Sequence, residues 1–258
     1  MGNQFYSAPL VDWINANCRV SSTHDHNMPW QTIFSFGIWN LWLRRNQFVF
    51  NPDVPFADPI ANTISFASEF YYLIGSYSKV KLESPVPVKW TPPPLGWFKL
   101  NTDGSSLGNP RLAGGGGVIQ NHLGEWVEGF SRAIGFTTSV QAKLRALKDG
   151  LLLAIDLEIV NLEIEMDSLV AVDLINSSTT SNAFLSTIVA DCRYLLKRFE
   201  LWSLRHIFRE ANGCADLPPK AGCAQQLDLV FFSNAPAHVL EALTFDVSNV
   251  TRFGVISS

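Results

Sequence analysis

The chain has 258 residues, of which 47% are hydrophobic and only 16% charged, and carries a net charge of −4. That composition excludes a disordered segment, and its mild acidity speaks against blanket phosphate neutralisation while leaving room for a local basic patch. Four cysteines, Cys18, Cys192, Cys214 and Cys223, lack C-x-x-C spacing and read as buried free thiols of a reducing compartment.

Residues 1–83 read as a small helical region. Pro9 to Ile14 suggests one helix, Pro29 to Asn46 a second, and Pro59 to Ser78 a third. The second carries Ile33, Phe34, Ile38, Trp39, Leu41, Trp42 and Leu43 around most of its circumference, as expected of a helix that is sandwiched or has a partner elsewhere. The uncharged run Asn27 to Leu43 is too short and too interrupted by Pro29, Gln31 and Asn40 to span a membrane. His24-Asp25-His26 lacks a third metal ligand and reads as a solvated loop. With no secretory leader, the expectation is an intracellular protein of the nucleus or cytoplasm.

Residues 84–95 are rich in proline, through Ser84-Pro85-Val86-Pro87 and Pro92-Pro93-Pro94, and predict a stiff linker at a domain boundary. Strands follow. Phe98, Leu100 and Thr102 alternate with Lys99, Asn101 and Asp103, the pattern of a strand with one buried face. Ala113 to Ile119 and Trp126 to Ser131 complete an antiparallel meander. The glycines at 114–117 match no phosphate-loop pattern and read as close backbone approach or a bulge. Ser139 is read as the cap of a helix over Val140 to Leu157, followed by a strand from Val160 to Met166. Helices are then expected at Leu169 to Asn176 and at Phe184 to Phe199. A fifth strand spans Trp202 to Phe208, and a short helix after Asn212 closes the domain. The tail, 225–258, shows no strong pattern.

Two strands thus end in an Asp-small pair, Asp103-Gly104 and Asp167-Ser168, and the last helix begins near Asp216. Converging carboxylates are the hard oxygen ligands that divalent ions need. Two such ions about 4 Å apart can activate a water and stabilise a leaving oxygen in phosphodiester cleavage.

The segments Trp90-Thr91-Pro92-Pro93-Pro94, Gly96-Trp97-Phe98-Lys99-Leu100-Asn101-Thr102-Asp103-Gly104, Glu165-Met166-Asp167-Ser168 and His206 through Arg209-Glu210-Ala211-Asn212 to Asp216 together resemble the plant ribonuclease H-like domain. That domain belongs to the type 1 ribonuclease H family, found at the C-terminal end of retrotransposon-derived reverse transcriptase proteins. The resemblance covers about residues 96–224. It implies an α/β ribonuclease H-like fold, a five-stranded mixed sheet flanked by helices and preceded by the helical N-terminal region. It also implies a Mg²⁺- or Mn²⁺-dependent endonuclease, with two ions, acting on the RNA strand of RNA–DNA hybrids.

By that resemblance Asp103, Asp167 and Asp216 fall on three catalytic, metal-holding positions. The fourth position, glutamate in the family, is occupied by Lys143. The lysine shares a stripe with Ala146, Leu147, Gly150 and Ala154, a face suited to lie on the sheet. A unit charge pair at 4 Å and effective dielectric 20 is worth about 4 kcal/mol, so a lysine against a divalent ion costs up to roughly 8 kcal/mol. Pro218 and Pro219 also disturb the helix expected to carry Asp216. Metal binding is therefore expected to be weakened or absent and cleavage impaired; a catalytically inactive nucleic-acid-binding or interaction module is the alternative. His206 reads as structural. Asn101, Gly115, Gly116, Arg193, Lys197 and Arg198 are the candidate contacts to nucleic acid, since hybrids are recognised through shape and 2′-hydroxyls.

Overall fold

The computed structural model describes residues 9–22, 28–50, 58–77, 86–88, 90–106, 111–177, 185–209, 212, 228–237, 239–240, 243 and 252–254. The chain divides into two compact units, Met1–Lys79 and Val80–Ser258.

Among the described residues of the first unit, three helices form where apolar residues recur: α1 (Leu10–Cys18), α2 (Trp30–Phe50) and α3 (Pro59–Tyr77). Trp13 meets Phe34 edge-on with ring centroids 5.0 Å apart, and Phe36 packs on Phe70 at 5.3 Å. Asn40, facing α3, donates to the Pro59 carbonyl at 2.9 Å and to Thr63 Oγ1 at 3.0 Å. Leu41, Trp42 and Phe50 remain exposed. Among the described residues, no helix is long and apolar enough to cross a membrane. The His24-Asp25-His26 loop lies outside the described residues.

The second unit is built on a mixed sheet of β2 (Phe98–Ser106), β3 (Arg111–Gln120), β4 (Trp126–Thr137), β5 (Asn161–Met166), β6 (Leu201–His206) and β7 (Leu229–Phe232). Their spatial order is β6-β5-β2-β3-β4-β7. Pairs among β2, β3, β4 and β7 are antiparallel, whereas β5 runs parallel to both β2 and β6. The described sheet has six strands, not the five expected. The extra strand comes from the tail: Leu229-Val230-Phe231-Phe232 is a short apolar run without alternation, and it becomes a strand by pairing with β4. In the Pro-rich stretch, β1 (Val86–Val88) pairs antiparallel with β8 (Arg252–Gly254) as a separate two-stranded ribbon.

Helices α4 (Ser139–Asp156), α5 (Leu169–Asn176) and α6 (Ser186–Leu196) flank the sheet. The cap of α4 is Thr138, not Ser139; its side chain accepts a hydrogen bond from the Gln141 amide at 3.2 Å. Small residues let α4 lie close on β2. A side chain at Gly104 would run into the Ala142 and Lys143 backbone, and one at Gly150 would meet Leu100 at 2.9 Å. On that face Leu100, Leu144, Leu147, Leu151 and Ile164 are fully buried, and such burial stabilises by about 25 cal/mol per Å² of apolar surface removed from water. On the other face Val118, paired with Asn101, packs against Val239, Leu243 and Trp126. Both faces of β2 are therefore covered, so Lys99, Asn101 and Asp103 are buried where alternation alone suggests a solvated face.

Candidate active site

The site is assembled by three local events. Strand β2 runs past its last core residue, Thr102, into Asp103, and β5 beside it ends at Met166, directly followed by Asp167. Because β2 and β5 are parallel with Thr102 opposite Met166, Asp103, still within β2, lies beside Asp167, where β5 has just ended. Ser168 then caps α5, accepting from the Ala171 amide at 3.2 Å, which turns the chain away and leaves Asp167 at the rim.

The third event is the close approach of α4. Gly104 allows the helix backbone at Ala142 and Lys143 to sit against β2, and Lys143 reaches over to the strand's Asp103. Its ammonium donates to Asp103 Oδ1 and, at 2.6 Å, to Asp167 Oδ1. Burial works against the ammonium, yet the charges of Asp103 and then Asp167, with their hydrogen bonds, outweigh it and raise the Lys143 pKa. Burial likewise lowers the pKa of His206, against the opposing pull of Asp167, so this half-buried imidazole favours its neutral form. Its ring lies edge-on to Phe208, at 5.9 Å between centroids.

Beside this cluster lies a second polar network that strand alternation does not reveal. Glu165 accepts from Lys99 Nζ at 2.8 Å, from Asn101 Nδ2 at 2.9 Å and from Arg205 Nε at 3.0 Å. Lys99 also donates to the Thr91 carbonyl and sits 5.0 Å from the Trp90 ring, whose indole N–H reaches Asn101 Oδ1 at 3.2 Å. Asn212 completes it: its side-chain oxygen accepts from Asn101 at 3.1 Å, and its own amide donates to the Thr102 carbonyl at 3.1 Å. The signal was present as charged and polar residues at matching positions, Lys99 opposite Glu163, Asn101 opposite Glu165 and Glu165 opposite Arg205.

Several proposed nucleic-acid contacts are placed elsewhere. Asn101 is only 2% exposed and its amide is spent within that network. Gly115 and Gly116 lie mid-sheet, paired to β2 on one side and β4 on the other, so their backbone is not offered to a ligand. A Cβ at Gly115 would press on Ala146 at 3.1 Å, the physical reason for glycine there. Arg193 is turned inward and caps the end of α5, donating to the carbonyls of Leu174 at 2.7 Å, Ile175 at 3.1 Å and Ser177. Lys197 and Arg198 are exposed after α6. Asp216 lies outside the described residues, as do Cys214 and Cys223. Cys192 is buried as expected, but Cys18 is exposed, because α1 buries none of its side chains.

The ribonuclease H family depends on divalent metal, and the donors among the described residues do not fit such ions. Asp103 and Asp167 supply the right oxygen chemistry, but a bonded ammonium stands between them. Among the described residues, no group of three or more His, Cys, Asp or Glu side chains is arranged to hold a metal ion.

Comparison with known proteins places this geometry in context. Residues 101–220 match the family model described as reverse transcriptase-like. An Arabidopsis thaliana protein named "Putative ribonuclease H protein" is 32% identical over 251 residues, covering 96% of this chain. The present chain spans 40% of that relative's length. Among solved structures, RNase H1 from Halobacterium salinarum is 29% identical with a TM-score of 0.47, the match covering 49% of this chain and 96% of that one. LC11-RNase H1 in complex with an RNA/DNA hybrid is 28% identical with a TM-score of 0.43, covering 49% and 96% respectively. The chain therefore contains, over residues 101–220, a ribonuclease H-like domain of the reverse transcriptase-like family.

Proposed function

We propose that this chain is a ribonuclease H-type nucleic-acid-binding protein of retrotransposon-derived type, in which the family reaction, endonucleolytic cleavage of RNA in RNA–DNA hybrids, is impaired. The observation that carries this reading is the lysine bonded to both Asp103 and Asp167. The two acids lie side by side on β2 and just after β5, so the family site is recognisable, yet their charge is already engaged by a cation of the protein's own. Hybrid is the proposed partner because the domain is of ribonuclease H type, and the exposed Lys197 and Arg198 are its proposed phosphate contacts. Such contacts follow the backbone and carry no base readout. The proposed domain limits are 96–224, preceded by a linker at 84–95.

The test is a cleavage assay on labelled RNA–DNA hybrid with Mg²⁺ or Mn²⁺, comparing the unaltered protein with Lys143→Glu. An electrostatic change of about 4 kcal/mol at the site corresponds to roughly 10²–10³ in rate. The unaltered protein should therefore turn over at least about 100-fold more slowly than Lys143→Glu. Robust turnover by the unaltered protein, abolished by Asp103→Asn, would sink the proposal.

A further inference from the structure

The misfit between the acidic centre and divalent ions has a positive content. Lys143 comes from the first turns of α4, and Gly104 brings that part of the helix backbone directly against β2. The side chain therefore has ample length to reach both Asp103 in β2 and Asp167 at the end of β5. Its ammonium touches Asp103 and Asp167 at once, with side-chain exposures of 16%, 3% and 9% for the three residues. Withdrawing the lysine would take from two nearly buried, neighbouring carboxylates the ammonium that bonds both, a change that carries a heavy desolvation and repulsion penalty. Swinging outward is thus opposed by the very groups it would abandon.

We infer that the Lys143 ammonium is the resident cation of this centre, so that the domain folds, and binds nucleic acid, without divalent metal. The nucleic-acid part of this inference rests on the reading given under Proposed function. An ammonium engaged by two carboxylates has little charge left for a phosphate. Association with a hybrid then runs through exposed basic side chains along the backbone. It should depend on monovalent salt, as any phosphate contact does, but not on the presence of Mg²⁺.

Two measurements on the full chain test this. In thermal unfolding, the midpoint of the unaltered protein should differ by less than ~1 °C between EDTA and millimolar Mg²⁺. Lys143→Gln and Lys143→Glu should both melt lower in EDTA, and Mg²⁺ should raise their midpoints by ~3 °C or more, because the freed carboxylates now favour a metal-bound native state. Should Lys143→Glu fail to fold in EDTA, the neutral Lys143→Gln carries the comparison. A Mg²⁺-dependent rise in the unaltered protein equal to that of the variants overturns the inference. In fluorescence anisotropy with labelled hybrid at matched ionic strength, the unaltered protein should show the same affinity in EDTA and Mg²⁺ to within about 2-fold. A dependence of about 10-fold or more on Mg²⁺ overturns it as well. If hybrid is bound in neither buffer, the proposed function falls, and the thermal comparison still decides whether Lys143 is the resident cation.

Discussion

Replacing Lys99 by methionine would show how the polar face of the sheet is held. Lys99 is fully buried, and its ammonium contacts Glu165 at 2.8 Å, Glu163 at 3.7 Å and the Thr91 carbonyl, above the Trp90 ring. Methionine fills nearly the same space without charge, so the packing change is small and electrostatics dominate. Removing one partner of a buried ion pair costs about 3–5 kcal/mol. Glu165 would keep Arg205 and Asn101 as donors, which places this case at the lower end, about 3 kcal/mol. The Thr91 carbonyl would also lose the Lys99 donor, at about 1 kcal/mol. Together these amount to about 4 kcal/mol, or a midpoint lowered by roughly 8–16 °C for a domain of this size. Urea and thermal unfolding measure the loss, and Glu165→Gln in both backgrounds closes a double-mutant cycle. Coupling of about 2 kcal/mol or more is expected. A loss below about 1 kcal/mol, or strictly additive effects, would refute the assignment of Lys99 as the cation that organises this face.

Gly104→Ala places a methyl group against the Ala142 and Lys143 backbone, which has no flexible end to move aside. Urea unfolding should record a loss of about 3 kcal/mol; a cost below about 1 kcal/mol would show that α4 does not need to lie so close. Burial pushes the Cys192 thiol up to about 12, and the residue is inaccessible. At pH 8 roughly one Cys192 in ten thousand is thiolate. Alkylation followed by peptide mapping should modify the exposed Cys18 and spare Cys192 until the protein is unfolded. Equal labelling of both in the native state would contradict the buried position of α6.

Much of the domain was legible because its signals are local. Strand alternation located β2 and β5, Asp167-Ser168 marked the end of β5 whereas β2 runs on past Asp103-Gly104 to Ser106, and the stripe from Lys143 to Ala154 put α4 on the sheet. The family resemblance put Lys143 at the fourth site position, and the same stripe supported it. Alternation tells which residues share a face, however, and not whether that face is covered. Covering it takes Trp90, Asn212, Val239 and Leu243, drawn from distant parts of the chain, and this is why Lys99 and Asn101 read as solvated and prove buried. Arg193 illustrates a related limit. A basic residue in a helix looks like a phosphate contact, and only the tertiary arrangement shows the α5 carbonyls within its reach. Strand β7 escaped detection because Leu229 to Phe232 has no periodicity to read until β4 supplies its partner.

That last strand bears on how the molecule comes into being. Trp126 of β4 donates its indole N–H to the carbonyl of Phe232, 106 residues further along the chain, at 3.1 Å. Contacts of such separation must await the closing of a long loop and tend to form late. During synthesis, β2, β3 and β4 emerge and can pair well before residues 229–232 exist as chain. Until then the outer side of β4 is an open row of amides and carbonyls beside Phe130 and Trp126, a surface that invites pairing with another nascent chain. The last strand of this six-stranded sheet to be made is thus the one that ends the vulnerable period, and its arrival separates a nascent sheet from a finished one.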